Sequence, residues 1–186
     1  MISNYLILIV LISCLVVTCS VNPIIRIAGK GMQLLSPIFA LENKIQGALL
    51  GAIGKVDRNE VREELENLKS DPCVIYTYKL SPFSTEAIAA LEKAEAKYEV
   101  REVGLEWFLL GPRASVLRSE LLDLTGQSSM PHIFIGGNHI GGLSSGTPGL
   151  AALVESGELE DLLVAAKASS KYVEPAKKKS LFKLPF

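Results

Sequence analysis

Two hydroxyl side chains three positions apart, Ser81 and Ser84, flank Pro82 and Phe83 between a β-branched, aromatic run and a helical one. A serine oxygen at such a turn accepts hydrogen bonds from the free amides of a helix start, or its hydroxyl donates to a ligand seated there. Disulfide exchange would instead need a thiolate, and the cysteines are poorly placed for it. Cys14, Cys19 and Cys73 form no C-x-x-C pair and no disulfide framework. Cys73 opens the strand that leads to the turn, about 20 Å of extended chain before Ser81, which suits a small buried strand residue. His132 and His139 add too little for a ligand cluster of zinc-like spacing, so no metal is expected. Both histidines are expected to face solvent from a hairpin, without a role.

The elements that must position this turn follow from local patterns. Asp57 and Glu60 form a capping-box pattern ahead of Val61, Leu65 and Leu68, so a helix and the folded domain are expected to begin at about Asp57. Cys73 to Tyr78 is a strand by composition. Ser81 then serves as N-cap and Pro82 as first helical residue, with Ala87, Ile88, Leu91 and Ala94 on one apolar face. A second strand is expected over Tyr98 to Val103, a second helix over Val116 to Leu124 closed by Gly126, and a hairpin over His132 to Ile135 and His139 to Ile140. Closing helices fall at Leu150 to Leu153 and Leu159 to Val164. Strands alternating with helices and ending in a hairpin predict an α/β fold, a small four-stranded mixed sheet flanked by helices. Trp107, Phe108, Leu109 and Leu110 make an apolar cluster after the second strand, either extra core or a docking surface.

Outside residues 57–168 the chain changes character. Residues 1–25 are almost wholly apolar: no charge occurs between Ile2 and Ile25, and Tyr5 to Val17 is nearly pure Leu, Ile and Val. Such a segment is a signal peptide or a membrane anchor. Arg26 and Lys30 after it favour an anchor, whereas Thr18 and Ser20 have the spacing of a cleavage site before Val21. Residues 26–56, basic and glycine-containing with weak amphipathic patches at Ile45, Leu49 and Ile53, resemble a linker or a transit segment. Residues 169–186 are a basic tail expected to be disordered. Membrane association through the N-terminus and targeting to the secretory pathway or an organelle follow as expectations. A formal charge of −1 over 186 residues excludes a global field for nucleic acid.

Four segments in this order resemble the glutaredoxin family, a thioredoxin-like fold: Val74-Ile75-Tyr76-Thr77 leading to Ser81-Pro82-Phe83-Ser84; Leu124-Thr125-Gly126-Gln127; Met130-Pro131-His132-Ile133-Phe134-Ile135; and Ile140-Gly141-Gly142. The resemblance covers about residues 57–168 and implies a cis peptide before Pro131. That family places C-P-Y-C or C-x-x-S at the turn, where a helix N-terminus lowers a thiol pKa. Here Ser81 and Ser84 take both cysteine positions, so no catalytic residue is expected and an iron–sulfur role is disfavoured. The glutathione site it implies comprises Lys79, Phe83, Arg118, Gln127, Met130, Pro131, Gly142, Leu143 and Ser144. Met130 would grip the cysteinyl part through its backbone, and Gly142, Leu143 and Ser144 would meet a carboxylate at the free amides of the next helix. Departures weaken this site. Tyr78 and Ser128 replace two cations, Ser144 and Ser145 replace acids, and Gly146 to Gly149 form a short insertion. Lys79 or Arg118 would have to compensate. The expected partner is glutathione or an extended peptide in the groove beside Pro131. The alternative is a glutathione-dependent enzyme, either transferase-type, with Ser81 or Tyr78 activating the ligand's thiol, or one retaining residual thiol-disulfide activity.

Overall fold

The computed structural model describes residues 22, 24, 25, 28, 33–106 and 108–171, except for the Lys69 side chain. The expectations for the segment before residue 22, for Trp107 and for most of the tail lie outside the described residues. Among the described residues no helix is long and apolar enough to cross a membrane.

The elements in chain order are α1 (Ser36–Ile53), α2 (Arg58–Glu66), a 3-10 turn (Asn67–Ser70), β1 (Cys73–Tyr78), α3 (Pro82–Lys93), β2 (Glu99–Gly104), α4 (Pro112–Thr125), β3 (His132–Ile135), β4 (Asn138–Gly141), α5 (Leu150–Ser156) and α6 (Glu158–Ala165). The strands form one sheet in the order β2-β1-β3-β4. β1 runs parallel to β2 and antiparallel to β3, and β4 returns antiparallel to β3. This is the mixed, thioredoxin-like sheet that the sequence pattern predicts.

Alternation along the central strands sorts the core into two layers. Cys73, Ile75, Ile133 and Ile135 face α3, α5 and α6 through Ala87, Leu91, Leu150, Leu153, Leu159 and Leu163. Val74, Tyr76, Tyr78 and Phe134 face α2 and α4 through Val61, Leu65, Val116, Leu117 and Leu121. The apolar i, i+4, i+7 series after Asp57 therefore covers one sheet face. Asp57 caps α2 by accepting from the Asn59 amide at 2.8 Å.

The linker expected over residues 26–56 is corrected. Residues 36–53 form an 18-residue helix packed along α4, and the folded unit begins well before Asp57. Its inner face is small and polar, with Asn43, Gly47 and Gly51 buried. A β-carbon added at Gly47 would lie 2.7 Å from Ser119 Cβ and 3.0 Å from the Ser115 carbonyl oxygen, so only glycine permits this approach. Asn43 Nδ2 donates to the Arg118 carbonyl oxygen. The large side chains Ile38, Leu41, Ile45, Leu49 and Ile53 point outward instead.

Two further observations concern the other boundaries and loops. Ser169 pairs with Ala96 in an isolated bridge, and Lys171 reaches Glu160, so the described chain continues past residue 168 with fixed contacts. Of the apolar cluster after β2, Leu110 enters the core while Phe108 and Leu109 are exposed.

Candidate functional site

The turn between β1 and α3 is set by backbone bonds on both sides. Lys79 N donates to Gly104 O as β1 ends beside β2, and Ser81 O accepts from Thr85 N as α3 begins. Ser81 is extended (φ −73°, ψ 121°), and its Oγ accepts from the Ser84 amide at 3.3 Å. Because that bond uses an oxygen lone pair, the Ser81 hydroxyl hydrogen remains free to donate. Ser84 is buried one turn along, and its Oγ has no partner.

Ser81 opens into a cleft of about 690 Å³. One wall is the turn itself, with Tyr78, Ser81, Pro82 and Phe83; the opposite wall is the loop from Thr125 to Met130; Leu143 to Thr147 close one end. The Met130–Pro131 peptide is cis, as the resemblance implies, and so is Thr147–Pro148. Gln127 supports the loop rather than the space in front of it, since its Nε2 donates to the Ser129 and Pro131 carbonyl oxygens at 2.7 and 2.9 Å.

A third wall comes from α1 and the residue segment ahead of it. Gln33 Nε2 donates to Ser144 O at 2.7 Å, the Ser36 and Ser128 hydroxyls are 3.1 Å apart, and Glu42 Oε2 accepts from Arg118 Nη1 at 2.8 Å. Gln33, Ser36 and Phe39 line the cleft. This wall was missed at the sequence level, where the glycines at 47 and 51 and the lone Glu42 were its only marks.

The electrostatics follow from burial. The Arg118 side chain is 3% exposed and lines the cleft, with its Nε unpartnered. The Tyr78 hydroxyl has no hydrogen-bond partner of good geometry. Burial raises the Tyr78 pKa, the Arg118 charge opposes that rise, and the carboxylates of Glu42 and Glu106 add to it. Tyr78 thus remains a phenol and a donor. The expectation that both histidines face solvent is corrected. His132 is 1% exposed, beside Thr125, and His139 stacks against it with centroids 5.3 Å apart. Burial lowers His132 to about 3, helped by charge repulsion from His139 and Arg118, and lowers His139 to about 4. His139 lines the cleft as a neutral ring whose Nε2 is unpartnered.

Of the nine residues expected to hold glutathione, Phe83, Arg118, Gln127, Met130, Leu143 and Ser144 line the cleft. Lys79 is exposed and does not line it. Pro131 and Gly142 lie behind the surface; a β-carbon on Gly142 would sit 2.7 Å from Pro131 O. The expected carboxylate seat at free helix amides is also corrected. Gly142 to Gly149 form a loop, α5 starts only at Leu150, and the amides of Leu150 and Ala151 donate to Gly142 O and Leu143 O. Cys73 points away from the cleft into the core, pairs with Ile135 at the far end of β3, and has its pKa pushed up to about 12 by burial. Cys14 and Cys19 lie outside the described residues, and no cluster of metal-ligating side chains occurs among those described.

A cis-proline just ahead of β3 and a Ser-Pro strand-to-helix turn, on a β2-β1-β3-β4 sheet, define a thioredoxin-like, glutaredoxin-type domain. The glutaredoxin family model matches residues 73–140. A glutaredoxin of Ricinus communis is 34% identical over 103 residues, spanning 55% of this chain and 92% of the relative. The chain belongs to the glutaredoxin family. Among solved structures, oxidized glutaredoxin 2 of Chlamydomonas reinhardtii superposes with a TM-score of 0.50 at 30% identity, over 61% of this chain and 99% of that one. A buckwheat glutaredoxin–glutathione complex shares the fold at 23% identity and a TM-score of 0.50, covering 59% and 92%.

Proposed function

We propose that this chain is a glutaredoxin-like binding module without disulfide-exchange chemistry of its own, whose cleft takes a thiol-bearing extended peptide, either glutathione or a polypeptide segment. The observation that carries this reading is the alcohol oxygen of Ser81 at the head of α3, facing the cleft from a cysteine position of the family. A serine hydroxyl does not ionise appreciably at neutral pH, and its oxygen does not exchange with disulfides. It still donates a hydrogen bond to a ligand sulfur or carbonyl. Support for retained binding comes from the cleft itself, which Tyr78, Ser81 and Arg118 line, and by analogy from the buckwheat relative solved with glutathione.

A second reading, a transferase-type enzyme acting on the thiol of bound glutathione, draws on one observation. Tyr78 lines the same cleft as Ser81, and burial keeps it a phenol, a donor suited to that thiol's sulfur. Isothermal titration of the full chain with reduced glutathione and with a cysteinyl tripeptide blocked at both ends separates these readings when paired with an assay against an electrophilic acceptor. Heat of binding by either ligand without turnover is the expected result. Turnover abolished by Ser81→Ala or Tyr78→Phe would favour the transferase reading, and no binding by either ligand would contradict both.

A further inference from the structure

The cleft's charges restrict what its ligand can carry at the α1 end. Arg118 is the one permanently charged cation among the described lining residues, and its guanidinium is already engaged from behind, Nη1 meeting Glu42 Oε2 at 2.8 Å and Gln46 Oε1 at 3.3 Å. Glu106 also lines the cleft, so one carboxylate is bonded to the guanidinium and a second shares the lining. His139 contributes no charge at neutral pH. The remaining polar groups of the lining, among them the hydroxyls of Ser36, Tyr78 and Ser128, are uncharged and suit a neutral carbonyl oxygen. A ligand carboxylate placed there would face like charge in a desolvated site.

Glutathione bears a carboxylate at each end. The contacts that α1 and Gln33 make run from Ser144 to Arg118, and Ser36 to Glu42 alone spans about 9 Å of helix axis. A tripeptide lying along this wall therefore brings one carboxylate toward the Glu42–Arg118 pair, whichever way it points.

We propose that Glu42, carried by α1, makes this cleft selective for peptides whose group at the Arg118 end is a neutral amide or ester rather than a free carboxylate, so that an internal polypeptide segment is preferred over free glutathione. The inference rests on the binding reading above and names its ligand class. α1 then acts as a specificity wall: it supplies the acid that cancels Arg118.

The test uses the full chain and two probes, reduced glutathione and glutathione diethyl ester, titrated in parallel at neutral pH and low salt. The diester is expected to bind at least about fivefold tighter. Glu42→Gln should raise affinity for glutathione several-fold while changing the diester little, which shrinks the ratio between them. Because Glu42→Gln removes an ion pair, Glu106→Gln serves as a second variant and should shift the ratio the same way. Glutathione binding as tightly as the diester, or a ratio unmoved by both variants, would overturn the selectivity. If neither probe binds, the binding reading itself fails, and the selectivity with it.

Discussion

The two long walls of the cleft are built on opposite principles. The wall at Ser81 is strand, turn, proline and helix start, with an alcohol oxygen where the family resemblance implies a thiol. The wall at α1 adds backbone to the domain and brings an acid with it, through Glu42 against Arg118. On the reading proposed above, one wall differs by a single atom and the other by an 18-residue helix. If both proposals hold, the difference teaches that chemistry and selectivity in this cleft are separable, since one depends on a helix cap and the other on a helix–helix contact.

The largest effect should come from forcing the walls apart. Gly47→Val drives a branched side chain into Ser119 and the Ser115 carbonyl, and should cost about 3 kcal/mol of stability. Hydrogen exchange should show the amides of residues 40–53 losing protection while those of Val74 to Tyr76 keep theirs. Equal loss in both regions would mean that α1 is part of the central folding unit rather than an added wall.

Arg118→Met tests the same contact from the other side. It removes the buried guanidinium and leaves Glu42, about a third exposed, without its partner. Chemical denaturation should report a loss of about 2 kcal/mol, below the usual cost of breaking a buried pair because Glu42 can reach water.

The acid limb of stability should report the histidines behind the cleft. Both have folded pKa values depressed below the usual 6.5, to about 3 and about 4. Their contribution is complete above pH 6.5 and is lost as pH falls toward those values, because the unfolded chain takes up the protons first. Urea midpoints measured from pH 7 down to pH 5, above the main carboxylate range, should decline, and the decline should flatten in a His132→Leu variant. The groups facing this pair are Thr125, Phe134 and Arg118.

The smallest effect is expected at the turn itself. Ser81→Ala removes one cap bond to the Ser84 amide, worth about 1 kcal/mol, and should leave the helix start in place because Pro82 and the Thr85 amide bond remain. A loss well above that would show that the Ser81 hydroxyl holds more than the cap.

The sheet and the Ser81 turn were legible in the sequence because short-range patterns specify them. The β-branched and aromatic run from Cys73 to Tyr78, a Ser-Pro helix start and a Gly126 helix end each carry a local physical meaning. α1 was not legible, and the reason lies in its inverted faces. A helix is ordinarily found by the large apolar residues it buries, but here Ile45, Leu49 and Ile53 face outward and the buried positions are Asn43, Gly47 and Gly51. The buried histidines were missed for a related reason, since alternation along β3 fails where both sheet faces are covered by helices and every position from His132 to Ile135 is buried. The loop from Gly142 to Gly149 was recognised as inserted, but its consequence for the start of α5 was not.

Turnover of a glutathione mixed disulfide, measured on the full chain beside a Ser81→Cys variant, tests the central claim most directly. The account predicts background rates for the wild-type chain and a gain in the variant, where a thiol would stand at the N-terminus of α3. A robust wild-type rate, unchanged by the substitution, would contradict it.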